Sequence, residues 1–466
     1  MDVAGYVPTF WYSPPCEGGV RGGCRERVAC YTDPMKRLVL RLIRSLAVRT
    51  IRAYKPRVVA VTGSVGKTST RHAITTAIGS ARRVRSTEGN YNNEFGVPLT
   101  ILGERSPGAS LFGSLGVLWR GWWVAMGFEK DYPEVLVMEY GADKPGDILY
   151  LTHMARPDVA LVTTVGVAHA EFIGTIEDIQ EEKGTLVRAV TEGGTVILNA
   201  DDERVRGMRH MSKAPVVTYG LASADVVPRS VVVETMHDGD VGVGEVVARV
   251  TFELEMDGDV AAVTLTNVLG DAHLRAVVAG AVAAAQLGIP LSTIATNLSN
   301  YTPMPGRLKL IPGIKHSLLI DDSYNASPES VHTALEVLSS IALTGEAKRI
   351  AVLGDMRELG RYSERGHVDV GTHVANLPID LLVTVGEQAR DIARGALAAG
   401  MDQSAVFTYG NAADAGTFVQ KRLGKGDIVL VKGSQAARTE KVVKELMAEP
   451  LRAPELLVRQ GAAWQD

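Results

Sequence analysis

The stretch Val58-Val-Ala-Val-Thr-Gly-Ser-Val-Gly-Lys-Thr-Ser-Thr70 leaves this chain few folds to choose from. The run Val58 to Val61 reads as a strand buried on both faces, as in a parallel sheet. Gly63 and Gly66 allow a tight turn, and a helix is predicted to open at Lys67. A strand, a glycine turn and a helix start together form an anion cradle, because backbone N–H groups and the aligned peptide dipoles converge there. Gly63, Ser64, Val65, Gly66, Lys67, Thr68 and Ser69 are therefore candidate phosphate contacts. Lys67 supplies a mobile positive charge for the outer phosphates, and Thr68 offers a hydroxyl to Mg²⁺. The strict G-x-x-x-x-G-K-[ST] pattern fails, since Val61 holds its first glycine position; the shorter T-G-x-x-G-K-T form is present instead. A chance glycine turn would not need a strand before it and a helix after it.

The rest of the chain alternates strand and helix patterns, which predicts an α/β protein. Strands are expected at Glu134–Glu139, Asp158–Thr164 and Thr195 onward. Glu139 ends the first of these, at the strand tip where open α/β sheets bind ligands. His169 follows the second, in Ala168-His-Ala-Glu-Phe-Ile-Gly174, and Lys183 lies on the helix after it, Ile176 to Val190. Asn92 and Asn93 belong to a polar loop, Glu88–Pro98, that can face phosphates or form an ordinary Asx turn. A small antiparallel β region is expected over 216–268. Tyr301-Thr-Pro-Met-Pro-Gly-Arg307 reads as a linker. Beyond it, strands are expected at Ser317–Ile320, Arg349–Leu353, Leu381–Val385, Ala405–Thr408 and Ile428–Val431, with a helix after each. The fold class is thus a P-loop central domain with a mostly parallel sheet plus a C-terminal Rossmann-like α/β domain. The expected division is a non-native or disordered extension at 1–34, a basic helix at 35–56, a central domain at 57–304 and a C-terminal domain at 305–466.

With 466 residues and a net charge of −4, the chain gives no reason to expect nucleic-acid binding. Its three cysteines, Cys16, Cys24 and Cys30, all precede Met35, so the folded body has no disulfide framework and a cytoplasmic setting is expected. Met35 is the expected native start. Met35 to Tyr54 is a basic amphipathic helix with Arg37, Arg41, Arg44 and Arg52 on one face. It packs on the nucleotide domain or, on a second reading, lies on a membrane surface. The segment 111–128 carries Trp119, Trp122 and Trp123; core packing is the expectation, and a patch for a partner or lipid the alternative.

Five stretches in order, together with Lys432-Gly-Ser434, resemble the Mur ligases, most of all the members that add D-alanyl-D-alanine to a UDP-muramoyl tripeptide. They are Thr62–Thr68, Asn92–Pro98, Ala168–Gly174 with Lys183, Asp321-Asp-Ser-Tyr-Asn-Ala-Ser-Pro328, and Leu353–Gly360. The resemblance implies an ATP- and Mg²⁺-dependent ligase of peptidoglycan precursors working through an acyl phosphate. It assigns Lys67 to the phosphates and Thr68, Glu139 and His169 to metal sites. Lys183 is assigned as a carbamylated metal ligand, and Lys67, His169 and Lys183 are the implied catalytic residues. Arg307 falls on the nucleotide, Asp322, Tyr324 and Asn325 near the ribose, and Asn92 and Asn93 at the phosphate end. Asp355, Glu358, Ser434 and Gln435 are candidates for the amine-substrate face. UDP-muramoyl peptide and D-alanyl-D-alanine are the implied substrates, although the usual N-terminal UDP-binding domain is not recognisable before Val58. A family Gly-x-His-Asn-x-x-Asn pattern is altered here to Gly270-Asp-Ala-His-Leu-Arg-Ala276. The alternatives are a related ligase with a folylpolyglutamate-like or pseudopeptidoglycan-like acceptor, or a non-catalytic nucleotide-binding subunit.

Overall fold

The computed structural model describes residues 34–89, 91–106, 111–168, 170–235, 247–461 and 464. The expectations for the N-terminal extension and for His169 lie outside these residues. In the first half the order is α1 (Pro34–Tyr54), β1 (Arg57–Thr62), α2 (Lys67–Ile78), β2 (Val84–Ser86), α3 (Gly96–Leu102), α4 (Leu111–Ala125), β3 (Val135–Glu139), α5 (Asp147–Met154), β4 (Val159–Val162), α6 (Ile176–Ala189), β5 (Thr195–Asn199) and β6 (Val216–Tyr219). The strands form one six-stranded sheet, β2-β3-β1-β4-β5-β6, with every pairing parallel. The strand of the opening motif is central, and its apolar run is buried on both faces as the sequence predicts. In register, Val61 lies opposite Glu139 and Thr62 opposite Val162. The phosphate loop, Glu139 and the loop after β4 therefore leave the sheet at one edge.

One face of this sheet is covered by α2 and by α7 (Asp271–Ala285), an alanine-rich helix. Small residues set their spacing: a Cβ at Gly280 would come within 2.8 Å of the Ala73 backbone. The same core is closed by a three-stranded antiparallel sheet, β7 (Arg229–Thr235), β8 (Ala248–Met256) and β9 (Asp259–Thr266). This corrects the expected 216–268 region. Its first strand, β6, is parallel to β5 and completes the central sheet, because a four-residue β-branched run does not reveal its partner.

The other face carries α1, α3, α5 and α6. Ile43 and Ala47 of α1 are buried, and the helix packs on α3 and α4, so the packed reading of this helix holds. Arg37, Arg41, Arg49 and Arg52 remain exposed, and the Arg44 guanidinium lies 4.4 Å from the Tyr150 ring centroid. The core expectation for 111–128 needs correction. Val117, Gly121 and Val124 of α4 are buried, but Leu115, Trp119, Trp122, Trp123, Met126 and Phe128 are exposed. An all-round apolar helix does not declare which face turns inward. No helix among the described residues is long and apolar enough to cross a membrane.

After residue 308, β10 (Lys309–Pro312) pairs antiparallel with β11 (Leu318–Asp322). There follow α8 (Pro328–Ser340), β12 (Arg349–Gly354), β13 (Leu381–Val385), β14 (Val406–Tyr409) and β15 (Ile428–Lys432). The second sheet has order β10-β11-β15-β12-β13-β14 and is parallel apart from its first edge strand, with a packed core on each side. That strand was not anticipated; it ends on Pro312, which only a sheet edge tolerates.

Candidate active site

The loop between β1 and α2 needs its glycines. Gly63 has φ +148° and Gly66 φ +87°, and a Cβ at Gly63 would fall 1.9 Å from Thr163 Oγ1. The loop is tied to the β4 exit rather than left open along its whole length. Ser64 N–H donates to the Thr164 carbonyl at 2.8 Å and Val65 N–H to Thr164 Oγ1 at 2.9 Å. Ser64 Oγ exchanges hydrogen bonds with the Gly166 backbone. The anion-binding donors are thereby narrowed to the first turn of α2, which has no side-chain cap. Lys67 folds back over this turn, donating to the carbonyls of Gly63 at 2.7 Å and Ser64 at 3.2 Å. Burial lowers its pKa, partly offset by the charge of Glu139.

Glu139 gathers the neighbouring groups. Its carboxylate accepts from Thr68 Oγ1 at 3.0 Å and Asn92 Nδ2 at 3.1 Å, and lies 3.7 Å from Arg71 Nε. Arg71 went unremarked in the sequence, yet it stands one helical turn beyond Lys67 and Thr68, so the i, i+4 spacing could have found it. Asn93 is not part of this cluster. Its side chain accepts from the N–H groups of Phe95 and Gly96 and holds the start of α3. Lys183 is buried on α6; burial first, and repulsion from Lys67 second, lower its pKa to about 7. Its neighbour Glu182 accepts from the backbone of Gly146 and Ile148, both at 2.8 Å, and anchors the start of α5.

The second domain reaches the same edge through the linker. Arg307 Nη2 lies 3.4 Å from Thr68 Oγ1, and its guanidinium sits 4.0 Å from the Tyr324 ring centroid. Three groups fix the backbone on which Arg307 sits. Asp321 accepts from Gly306 N–H at 2.9 Å, Asp322 from Leu308 N–H at 3.2 Å, and His273 Nε2 meets the Arg307 carbonyl at 2.9 Å. A carbonyl only accepts, so Nε2 carries the proton, and Nδ1 accepts from the Tyr301 hydroxyl at 2.8 Å. Burial lowers the His273 pKa to about 4, consistent with this neutral form. Asp322 also pairs with buried Lys432 at 2.7 Å, and that lysine donates to the Asn325 carbonyl at 2.8 Å. Sequence reading gave Asp322 no partner, because 110 residues separate it from Lys432. The Asn325 side chain bonds only locally, to Ala326 N–H at 2.9 Å, and the residue is exposed. Asp355 accepts from Ala389 N–H at 2.8 Å and Arg357 at 3.0 Å, while the Glu358 carbonyl accepts from Glu171 N–H at 3.3 Å across the domains.

The donor set suits a nucleotide and a hard cation. Thr68 and Glu139 bring two oxygen donors together, as Mg²⁺ requires. Arg307 Nε and Ser434 Oγ are buried without hydrogen-bond partners among the described residues, and buried polar atoms are normally satisfied. Among the described residues, no three His, Cys, Asp or Glu side chains cluster as a metal site.

Comparison with known proteins identifies the family. The Mur ligase middle domain matches residues 61–112 and 125–274, and the Mur ligase, glutamate ligase domain matches 306–435. UDP-N-acetylmuramoyl-tripeptide–D-alanyl-D-alanine ligase of Bacillus subtilis is 30% identical over 412 residues, covering 88% of this chain and 80% of that protein. The Escherichia coli enzyme of the same name is 31% identical, covering 84% and 76%. The crystal structure of MurF ligase from Thermotoga maritima in complex with ADP superposes with a TM-score of 0.70 at 27% identity, covering 87% of this chain and 83% of that one. The chain belongs to the Mur ligase family.

Proposed function

We propose that this protein is an ATP-dependent, ADP-forming ligase of peptidoglycan precursor synthesis that joins D-alanyl-D-alanine to a UDP-muramoyl tripeptide. The observation that carries the reading is the convergence of Lys67, Thr68 and Glu139 at one strand edge with Arg307 arriving from the second domain. Joining a carboxylate to an amine in water is uphill. Transfer of the ATP γ-phosphate to the carboxylate makes an acyl phosphate that the amine can attack, with phosphate as leaving group. Two anions must meet for that transfer, so positive charge has to be dense and pre-placed. Lys67, Arg71 and Arg307 supply it.

Thr68, Glu139, His169 and a carbamylated Lys183 would hold Mg²⁺, which neutralises phosphate charge when bound. Carbamate formation needs an uncharged amine, and a lysine lowered to about 7 provides one near neutral pH. Gly66–Ser69 and Asn92 face the phosphates, with Gly63, Ser64 and Val65 shaping the loop behind them; Asp322, Tyr324 and Asn325 lie on the ribose side. Asn93 serves that end indirectly, by fixing the turn that carries Asn92. The amine substrate enters from the side of Asp355, Glu358, Ser434 and Gln435. Residues 57–304 and 305–466 act as two bodies that close around Tyr301–Arg307. ATP and a nucleotide-linked precursor place the reaction in the cytoplasm. The test is phosphate release with ATP, Mg²⁺, UDP-muramoyl tripeptide and D-alanyl-D-alanine. Release that requires both substrates is expected; ATP turnover with neither, or with folate and glutamate instead, overturns the reading.

A further inference from the structure

Two elements outside the active site share one face of the molecule. The middle-domain match starts at residue 61 and passes over 113–124, so α1 and most of α4 lie outside it. The two helices pack on one another: a Cβ at Gly121 would come 3.2 Å from Leu46 Cδ1. The outward side of α4 carries Leu115, Trp119, Trp122 and Trp123, spaced i, i+4, i+7 and i+8, and Met126 just past its end continues this single stripe. Trp119 is 68% exposed. The rings form a continuous cluster, with Trp119 and Trp122 stacked at 5.4 Å and Phe128 4.8 Å from Trp123. On α1, Leu38, Leu42 and Leu46 form an i, i+4, i+8 row. Leu46 meets α4, and Leu38 and Leu42 continue the row into solvent. The charge on α1 has one sign, with Lys36, Arg37, Arg41, Arg44, Arg49 and Arg52 and no acidic residue in a chain of net charge −4, while Arg120 of α4 is paired with Glu104 and Glu129.

We propose that α1 and α4 form a docking surface for a lipid bilayer bearing anionic headgroups. Tryptophan rings settle at headgroup depth, exposed leucines enter the acyl boundary, and arginines meet lipid phosphates. A protein groove would take the apolar stripe but leaves the basic charge of α1 without a purpose. The contact is in-plane, since no described helix can span a bilayer.

The test is flotation of the full chain with vesicles of phosphatidylglycerol and phosphatidylcholine, against vesicles of phosphatidylcholine alone, with tryptophan emission recorded. Binding to the anionic vesicles with a blue shift is expected. Trp119→Ser/Trp122→Ser/Trp123→Ser should abolish both. Arg37→Glu/Arg41→Glu changes only exposed groups and should weaken binding by about thirtyfold, with unchanged thermal unfolding and phosphate release. The proposal is overturned if the chain stays in the aqueous phase, or if both variants bind like the parent. It is also overturned if light scattering shows a dimer that the tryptophan variant dissolves, which would assign the face to a second copy.

Discussion

Carboxylates stand at the tips of strands in both sheets, and they are used in opposite ways. Glu139, at the end of β3, bonds to side chains: Thr68, Asn92 and the nearby Arg71. Thr68 and Asn92 are small, and a cation or phosphate can replace their hydrogen bonds, while buried Arg71 is held in place by Ser86 and the Thr87 carbonyl. Asp321 and Asp322, at the end of β11, bond to backbone on either side of Arg307 and to a buried lysine. Nothing there is exchangeable without moving the chain. The first tip gathers side chains from the phosphate loop and its neighbours, as the proposed ligand site needs; the second holds the linker still. Strand-end acids are therefore not one class, and their hydrogen-bond partners tell the two kinds apart.

The contrast can be broken at several points. Lys67→Ala and Glu139→Gln should each lower phosphate release by about 10²–10³-fold while thermal unfolding hardly moves, since the amide keeps a polar group beside buried Arg71. Lys432→Met should do the reverse in kind. It strands the Asp322 carboxylate in a buried setting, a cost of about 3–5 kcal/mol in stability, read from urea unfolding. If Glu139→Gln proves as destabilising as Lys432→Met, the distinction fails. Lys183→Ala should lose about 10²-fold or more in activity, and a carbamate signal seen by ¹³C NMR with labelled bicarbonate should vanish with it.

Asp321 gives a pH signature. Burial raises its pKa from 3.8 to about 6 in the folded state. The native chain therefore holds a proton that the unfolded chain has lost, and this contribution is complete below 3.8 and is lost as pH rises through about 6. Asp321→Asn should flatten that fall in a series of urea midpoints; an unchanged slope would assign it elsewhere. The smallest effect is expected at Asn93→Ala, about 1 kcal/mol from the lost hydrogen bonds to the N–H groups of Phe95 and Gly96, with activity falling only as far as Asn92 is displaced.

The division of labour was only half legible in the sequence. A strand, two glycines and a lysine within thirteen residues specify their geometry locally, so the phosphate loop could be read directly. The strand tip bearing Glu139 was legible for the same reason. Partners brought together by sheet register were not: Asp322 lies opposite Lys432 because β11 and β15 are neighbours, and no local pattern encodes that. His273 stood in a motif that looked merely altered, and its use became visible only once the linker lay across it. The outward turn of the tryptophan stripe on α4 was hidden because both faces of that helix are apolar.

Lys67 closes its ammonium onto the carbonyls of its own loop. An incoming anion must first win that cation away from two hydrogen bonds, so binding at the loop is an exchange with a threshold. A polyphosphate, which offers several charged oxygens at once, offsets that loss better than a lone phosphate or a stray carboxylate. Selectivity for charge density is thus set before any part of a nucleotide base is read.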